Sequence, residues 1–243
     1  FITAGDPDLA TTEKLIYAME EAGAGLIEIG IPFSDPTAEG PVILEADTRA
    51  LAAGTKIKDI FAMLARVREK TRIPMVFLTY ANPIFTYGRD KFFQQCRDVE
   101  IDGVIVPDVP FEEKATIAPE AEKYGVEIIS MIAPTSHQRI QSIAREAQGY
   151  IYLVSSLGVT GVRKEITTNL KEIVEKIREV SDKPIAVGFG ISTPEQAKEM
   201  AEISDGAIVG SAIVKLCAQY GKDCVEPVKQ YVKEMAEAVD EAK

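Results

Sequence analysis

The feature that most restricts the fold of this chain is an eightfold alternation. Short apolar, β-branched runs begin at "FITAG" (residue 1), "AGLIEIG" (24), "PMVFLTY" (74), "DGVIVPD" (102), "VEIISMIA" (126), "GYIYLVS" (149), "PIAVGFG" (184) and "DGAIVGS" (205). Charged stretches with helical periodicity separate them, among them "TTEKLIYAMEEAG", "KIKDIFAMLARVREK" and "TTNLKEIVEKIREVS". Strands that are apolar throughout are buried on both faces, and strand–helix alternation demands parallel crossovers. Eight such units in 243 residues predict an α/β fold, a single-domain (β/α)8 TIM barrel over residues 1–243. A doubly wound open sheet would use fewer strands and carry GxGxxG after the first; here "GFG" follows the seventh. The abrupt start at "FITAG" reads as the tail of a strand under way, so further residues are expected upstream of Phe1.

The formal net charge is −11, with no basic block, so nucleic acid and other polyanions are poor partners. A small phosphorylated ligand remains compatible, because helix N-termini and oriented backbone N–H groups hold phosphate even in an acidic protein. Cys96, Cys217 and Cys224 lack CxxC spacing, and His137 is the only histidine, which argues for structural thiols and against a His-rich metal site. No apolar run approaches the roughly 18 residues of a bilayer span, and no signal peptide is visible, which favours the cytoplasm.

In such barrels the working face is the C-terminal end of the strands. After strand seven, "GFGISTPEQ" offers glycines for close approach and a helix capped by Ser192 or Thr193, with Pro194 at its first position. After strand eight, Gly210 and Ser211 lead into another helix, and after strand six "SSLGVTG" carries Gly158 and Gly161. Three glycine-bearing turns at one rim suggest a nest of backbone N–H groups for an oxyanion. Barrels also need glycine in tight turns.

The stretch "IEIGIPFSDPTAEGPVILEA" sets Glu28 in an apolar run and Asp35, Glu39 and Glu45 in a Gly/Pro-punctuated loop beyond it. Burial raises a carboxyl's pKa and suits it to general acid–base work near neutrality. Equally, a buried Glu can be held by a structural hydrogen bond. Asp35 before Pro36 fits a turn residue, and Glu39 before Gly40 fits a solvated one. Tyr80 and Tyr152 fit either the core or a rim that hydrogen-bonds a polar substrate.

With "FITAGDPD", "IEIGIPFSDPTAEGP", "YANP", "VPDVPFEE", "SSLGVTG", "GFGIS" and "VGSAIVK" in this order, the chain resembles the tryptophan synthase alpha chain family over essentially its whole length. The resemblance implies a lyase of tryptophan biosynthesis that cleaves indole-3-glycerol phosphate to indole and glyceraldehyde 3-phosphate by a retro-aldol reaction. It implies that the residues upstream of Phe1 form a helix, and no metal or organic cofactor in this chain. The expected partner is a beta chain bearing pyridoxal phosphate, in an alpha2beta2 complex. The family's catalytic glutamate falls on Glu28, and its second carboxylate, an aspartate in "ADGP", falls on Glu39 of "AEGP". Leu44 replaces a glutamine usual in the family. The phosphate nest maps to Gly161, Gly190, Gly210 and Ser211. The indole pocket maps to Phe1, Leu78, Ile105 and Phe189, the glycerol contact to Tyr152, and a closing loop to Thr160. Asp35, Pro36 and Pro110 fall in beta-contacting segments. The Glu39 departure leaves an alternative, a catalytically weakened alpha chain that acts mainly as binding partner and activator of the beta chain.

Overall fold

The computed structural model describes residues 1–155, 163–188 and 190–242, with backbone only for His137 and residues 163–169. Eight parallel strands follow one another around the sheet: β1 (Ile2–Thr3), β2 (Ile27–Gly30), β3 (Met75–Leu78), β4 (Gly103–Ile105), β5 (Glu127–Ile132), β6 (Gln148–Val154), β7 (Ile185–Gly188) and β8 (Gly206–Ile208). Each pairs with the next in sequence. The backbone nitrogen of Phe1 donates to the Val209 carbonyl at 2.8 Å, bringing the start of the first strand against the end of the last. This is the curled (β/α)8 architecture that the strand count predicts.

The helices are α1 (Leu9–Glu21), α2 (Pro41–Ala52), α3 (Ile57–Arg68), α4 (Ala81–Tyr87), α5 (Arg89–Asp98), α6 (Ala118–Tyr124), α7 (Ile140–Arg145), α8 (Arg163–Arg178), α9 (Pro194–Ala201), α10 (Ser211–Tyr220) and α11 (Val225–Asp240). Strands β2, β3 and β8 are each followed by two of them. The segment after "AEG" is the main departure from the sequence reading, since Glu45 lies on α2 and not in a loop. Pro41 is the reason. It sits in the first turn, where its fixed φ suits a helix and its missing N–H has no partner to lose, with Gly40 as N-cap. The charged stretch "EEKATIAPEAEKYG" forms a 3-10 helix, Phe111–Thr116, followed by α6, again with proline in the first turn.

Strand parity sorts the core. Ile27 and Ile29 of β2, Met75 and Phe77 of β3, and Val104 of β4 face the helices. The alternate positions Val76, Ile105, Ile129, Tyr150 and Tyr152 fill the barrel with Leu78, Met131, Ala186 and Ile208 against them. Glu28 shares that inward parity, opposite Val76. Outside the strands an aromatic cluster links α3, β3 and α5: Phe92 meets Phe93 edge-on at 5.3 Å between centroids, Phe61 at 5.7 Å and Phe77 at 6.0 Å. All four rings are buried. Truncating Phe92 to alanine is expected to cost about 3–5 kcal/mol of unfolding free energy, read from the urea midpoint at unchanged slope.

Candidate active site

A cavity of about 540 Å³ opens at the C-terminal end of the strands. Phe1, Glu28, Glu39, Leu78, Tyr152, Gly190, Gly210 and Ser211 all line it. These eight positions come from seven different segments, which only the barrel brings to one mouth. Ile105 is not among them; it is fully buried in a cluster with Val76 and Tyr152. Thr160, Gly161 and Phe189 lie outside the described residues. Asp35 is exposed and accepts from the Ser34 hydroxyl at 2.5 Å.

Two inward glycines make room for the aromatic walls. A Cβ on Gly30 would stand 2.6 Å from the Phe1 ring, and one on Gly188 would stand 2.4 Å from the Tyr152 hydroxyl oxygen. Both rings therefore sit where a side chain would otherwise be.

Glu28 is 3% exposed in the barrel interior, and the Tyr150 hydroxyl donates to its Oε1 at 2.9 Å. Desolvation pushes its pKa up, and the Tyr150 bond opposes that only in part. A raised pKa keeps the carboxyl protonated over a wider pH range, as a proton donor requires. Tyr150 is a residue that sequence reasoning missed. Its signal was the spacing of two from Tyr152, which puts both phenols on the same face of β6.

Glu39 stands at the N-terminal side of α2, its carboxyl against the Asp47 carboxyl and the Tyr80 hydroxyl, and burial pushes its pKa up. One oxygen, Oε2, is buried without a well-formed hydrogen bond. Tyr80 is held in turn by the Ala38 N–H, which donates to its hydroxyl at 3.3 Å. Leu44, on the same helix, is partly exposed at 40%.

Of the three converging turns suggested by the sequence, the one after strand six lies outside the described residues. The Thr193 cap of α9 is a full capping box, and Gln196 Oε1 already accepts from the backbone N–H groups of Ser192 (2.8 Å) and Thr193 (3.2 Å). What faces the cavity is the first turn of α10 at Gly210 and Ser211, whose N–H groups have no acceptor within their own helix, with Gly190 (φ +78°) opposite. Lys215, one turn along α10, adds a positive charge to the lining. Its place in "GSAIVK", four residues after Ser211, was the available signal.

A larger cavity, about 640 Å³, lies at the opposite end of the strands. Its charged lining includes Asp102, Glu127, Asp205 and Asp240, which would repel an anion, and the barrel rule places chemistry at the other face. Glu28 borders both cavities. Among the described residues no cluster of three or more His, Cys, Asp or Glu side chains is placed to hold a metal, and no helix is long and apolar enough to cross a membrane.

Fold and site together define a (β/α)8 barrel with a buried carboxyl and an open helix N-terminus at one mouth. The family model for "Tryptophan synthase alpha chain" matches residues 1–242. The chain is 48% identical over 243 residues to the tryptophan synthase alpha chain of Lacticaseibacillus casei, covering 100% of this chain and 91% of that protein. It superposes on the crystal structure of the alpha subunit from Legionella pneumophila with TM-score 0.89 and 37% identity, covering 99% and 91% of the two chains. It also matches a chain from a structure of the tryptophan synthase a2b2 complex of the hyperthermophile Pyrococcus furiosus (TM-score 0.88, 35% identity, 96% and 95% covered). The chain belongs to the tryptophan synthase alpha chain family, which cleaves indole-3-glycerol phosphate to indole and glyceraldehyde 3-phosphate.

Because burial holds the Glu28 pKa above its usual 4.5, the folded protein binds this proton more tightly than the unfolded chain. The associated stability is complete below about pH 4.5 and drains away as pH rises through the folded-state value. Glu28→Gln, which cannot ionise, should therefore gain on the wild type in urea-unfolding free energy between pH 4 and pH 8. A constant difference would show that burial does not set the proton affinity. Tyr150→Phe removes the donor to Glu28 and is expected to cost about 1–3 kcal/mol in the same assay.

Proposed function

We propose that this chain is a carbon–carbon lyase in which Glu28 moves both protons of the retro-aldol reaction. The observation that carries the reading is the Glu28 carboxyl, fully buried in the barrel yet bordering the cavity, with its pKa raised. Protonated Glu28 delivers its proton to indole C3, and the electrons that form this bond come from the indole π system, leaving positive charge on the ring nitrogen. The C3–side-chain bond then breaks, its electron pair returning to the ring. The hydroxyl on the departing carbon loses its proton to the Glu28 carboxylate and becomes the aldehyde of glyceraldehyde 3-phosphate. Atoms and charges balance within this cycle, with Glu28 restored at the end.

Glu39 accepts the indole N–H and offsets the charge that develops on nitrogen. The longer side chain still reaches the cavity wall, so the reading as a weakened chain that only activates a partner is not favoured. Phe1 and Leu78 supply the apolar walls for the indole ring, and Tyr152 lies toward the glycerol. Gly210, Ser211 and Gly190 hold the phosphate, with Lys215 as the nearest countercharge. The indole nitrogen serves as electron sink, so the reading places no cofactor in this chain. Pyridoxal phosphate belongs to a beta chain that takes up the indole. An alpha2beta2 assembly is the expected form, supported by the likeness to the Pyrococcus furiosus complex.

The test is steady-state indole release from indole-3-glycerol phosphate by the purified chain, with and without a family beta chain. Glu28→Gln should lose at least about 100-fold in kcat, the usual share of general acid–base catalysis. Glu39→Ala should lose about 100-fold in kcat/KM. Turnover that survives in Glu28→Gln would remove the proton-shuttle assignment.

A further inference from the structure

The helix α2 buries one acidic residue that the reaction as described above does not use. Its inward stripe is Ile43, Ala46, Asp47 and Ala50, and Asp47 is only 2% exposed. The Phe33 N–H donates to Asp47 Oδ2 at 3.4 Å, and the other side of the carboxyl faces Glu39. Two carboxyls therefore abut in a largely dry setting. Arg49, on the same helix, does not serve them: its Nε and Nη2 form a bidentate pair with Asp6 at 2.8 and 2.9 Å. The remaining titratable group against the pair is the Tyr80 hydroxyl. Two carboxylates in such contact cannot both ionise without severe repulsion, whereas one proton between them converts the clash into a hydrogen bond.

We propose that Asp47 is a positioning residue for Glu39: it retains a proton, donates it to Glu39 in a hydrogen bond, and leaves the pair one negative charge for the indole N–H. The inference rests on the lyase reading and deepens it. The donor fixes the Glu39 side chain, whose extra methylene would otherwise add a rotatable bond. Glu39 Oε2, buried and unpartnered, is an acceptor that the pair leaves open. Burial and the neighbouring Glu39 push the Asp47 pKa up to about 8, so the protonated form prevails at neutral pH. Above that value the pair becomes a dianion and Glu39 is pushed from its place. Asp6 adds to the upward push, and the Phe33 N–H opposes it.

Asn at position 47 can accept from Phe33 and donate to Glu39 but has no proton to lose. The pH profile of kcat/KM should fall above about pH 8 in the wild type, and that basic limb should be missing in Asp47→Asn. Asp47→Leu and Asp47→Ala should both lose about tenfold or more at pH 7, with Asp47→Asn recovering most of that loss, since a purely space-filling role would be served by leucine as well as by asparagine. An unchanged basic limb in Asp47→Asn would assign it to Glu28 or Tyr80 and overturn the proposal. Independently of turnover, carbon-13 NMR of protein labelled at aspartate Cγ should show one resonance titrating near pH 8 that Asp47→Asn removes. If every aspartate titrates below pH 6, the shared proton is refuted whatever the activity. If that resonance is present but the wild type releases no indole, the lyase reading fails while the proton-sharing pair stands.

Discussion

A carboxyl group inside a barrel of aliphatic and aromatic side chains must be neutral or hydrogen-bonded, and the site is arranged around that requirement. Glu28 takes the inward parity of β2 in a layer otherwise made of Val76, Ile129 and Tyr150. Its neighbours desolvate it, and one phenol satisfies one oxygen. A stronger donor set, or a cation, would hold the carboxylate ionised and waste it as an acid. An entirely apolar setting would leave its oxygens unpaired at a cost in stability. One neutral donor is the compromise.

The two ends of the barrel differ in electrostatics more than in size. Net charge is −11, so attraction at long range cannot bring in a phosphorylated molecule. Selection falls to short-range geometry, and the first turn of α10 with Lys215 provides it at one mouth, while carboxylates line the other. The capping box of α9 sharpens this division by occupying the N–H groups of Ser192 and Thr193 internally. Among the described residues, the rim thus offers a ligand the open terminus of α10, while N–H groups at the start of α9 are already engaged.

The strands were legible because parallel barrel strands are apolar on both faces and their runs stand out against charged helices. Glu28 was legible for the same reason, as a charge set between the isoleucines of such a run. What escaped reading needed three-dimensional partners. Asp47 looks like one more charge in an acidic chain until Pro41 is recognised as a helix start; then it falls on the stripe of Ile43, Ala46 and Ala50. The family resemblance put Ile105 in the indole pocket, whereas the barrel packs it fully buried and out of the cavity lining. The glycines after strand seven pointed to an anion, but only the coordinates show that Gln196 consumes part of that donor set.

The empty volume above Gly188 belongs to the Tyr152 phenol, which reaches across from the neighbouring strand. In terms of sequence drift, the two positions behave as one locus. A methyl group at 188 is admissible only once the ring at 152 has shrunk, and shrinking the ring first opens a void in the cavity wall. Either single step is disfavoured, so the pair is kept by the order in which mutations arrive as much as by the chemistry it serves.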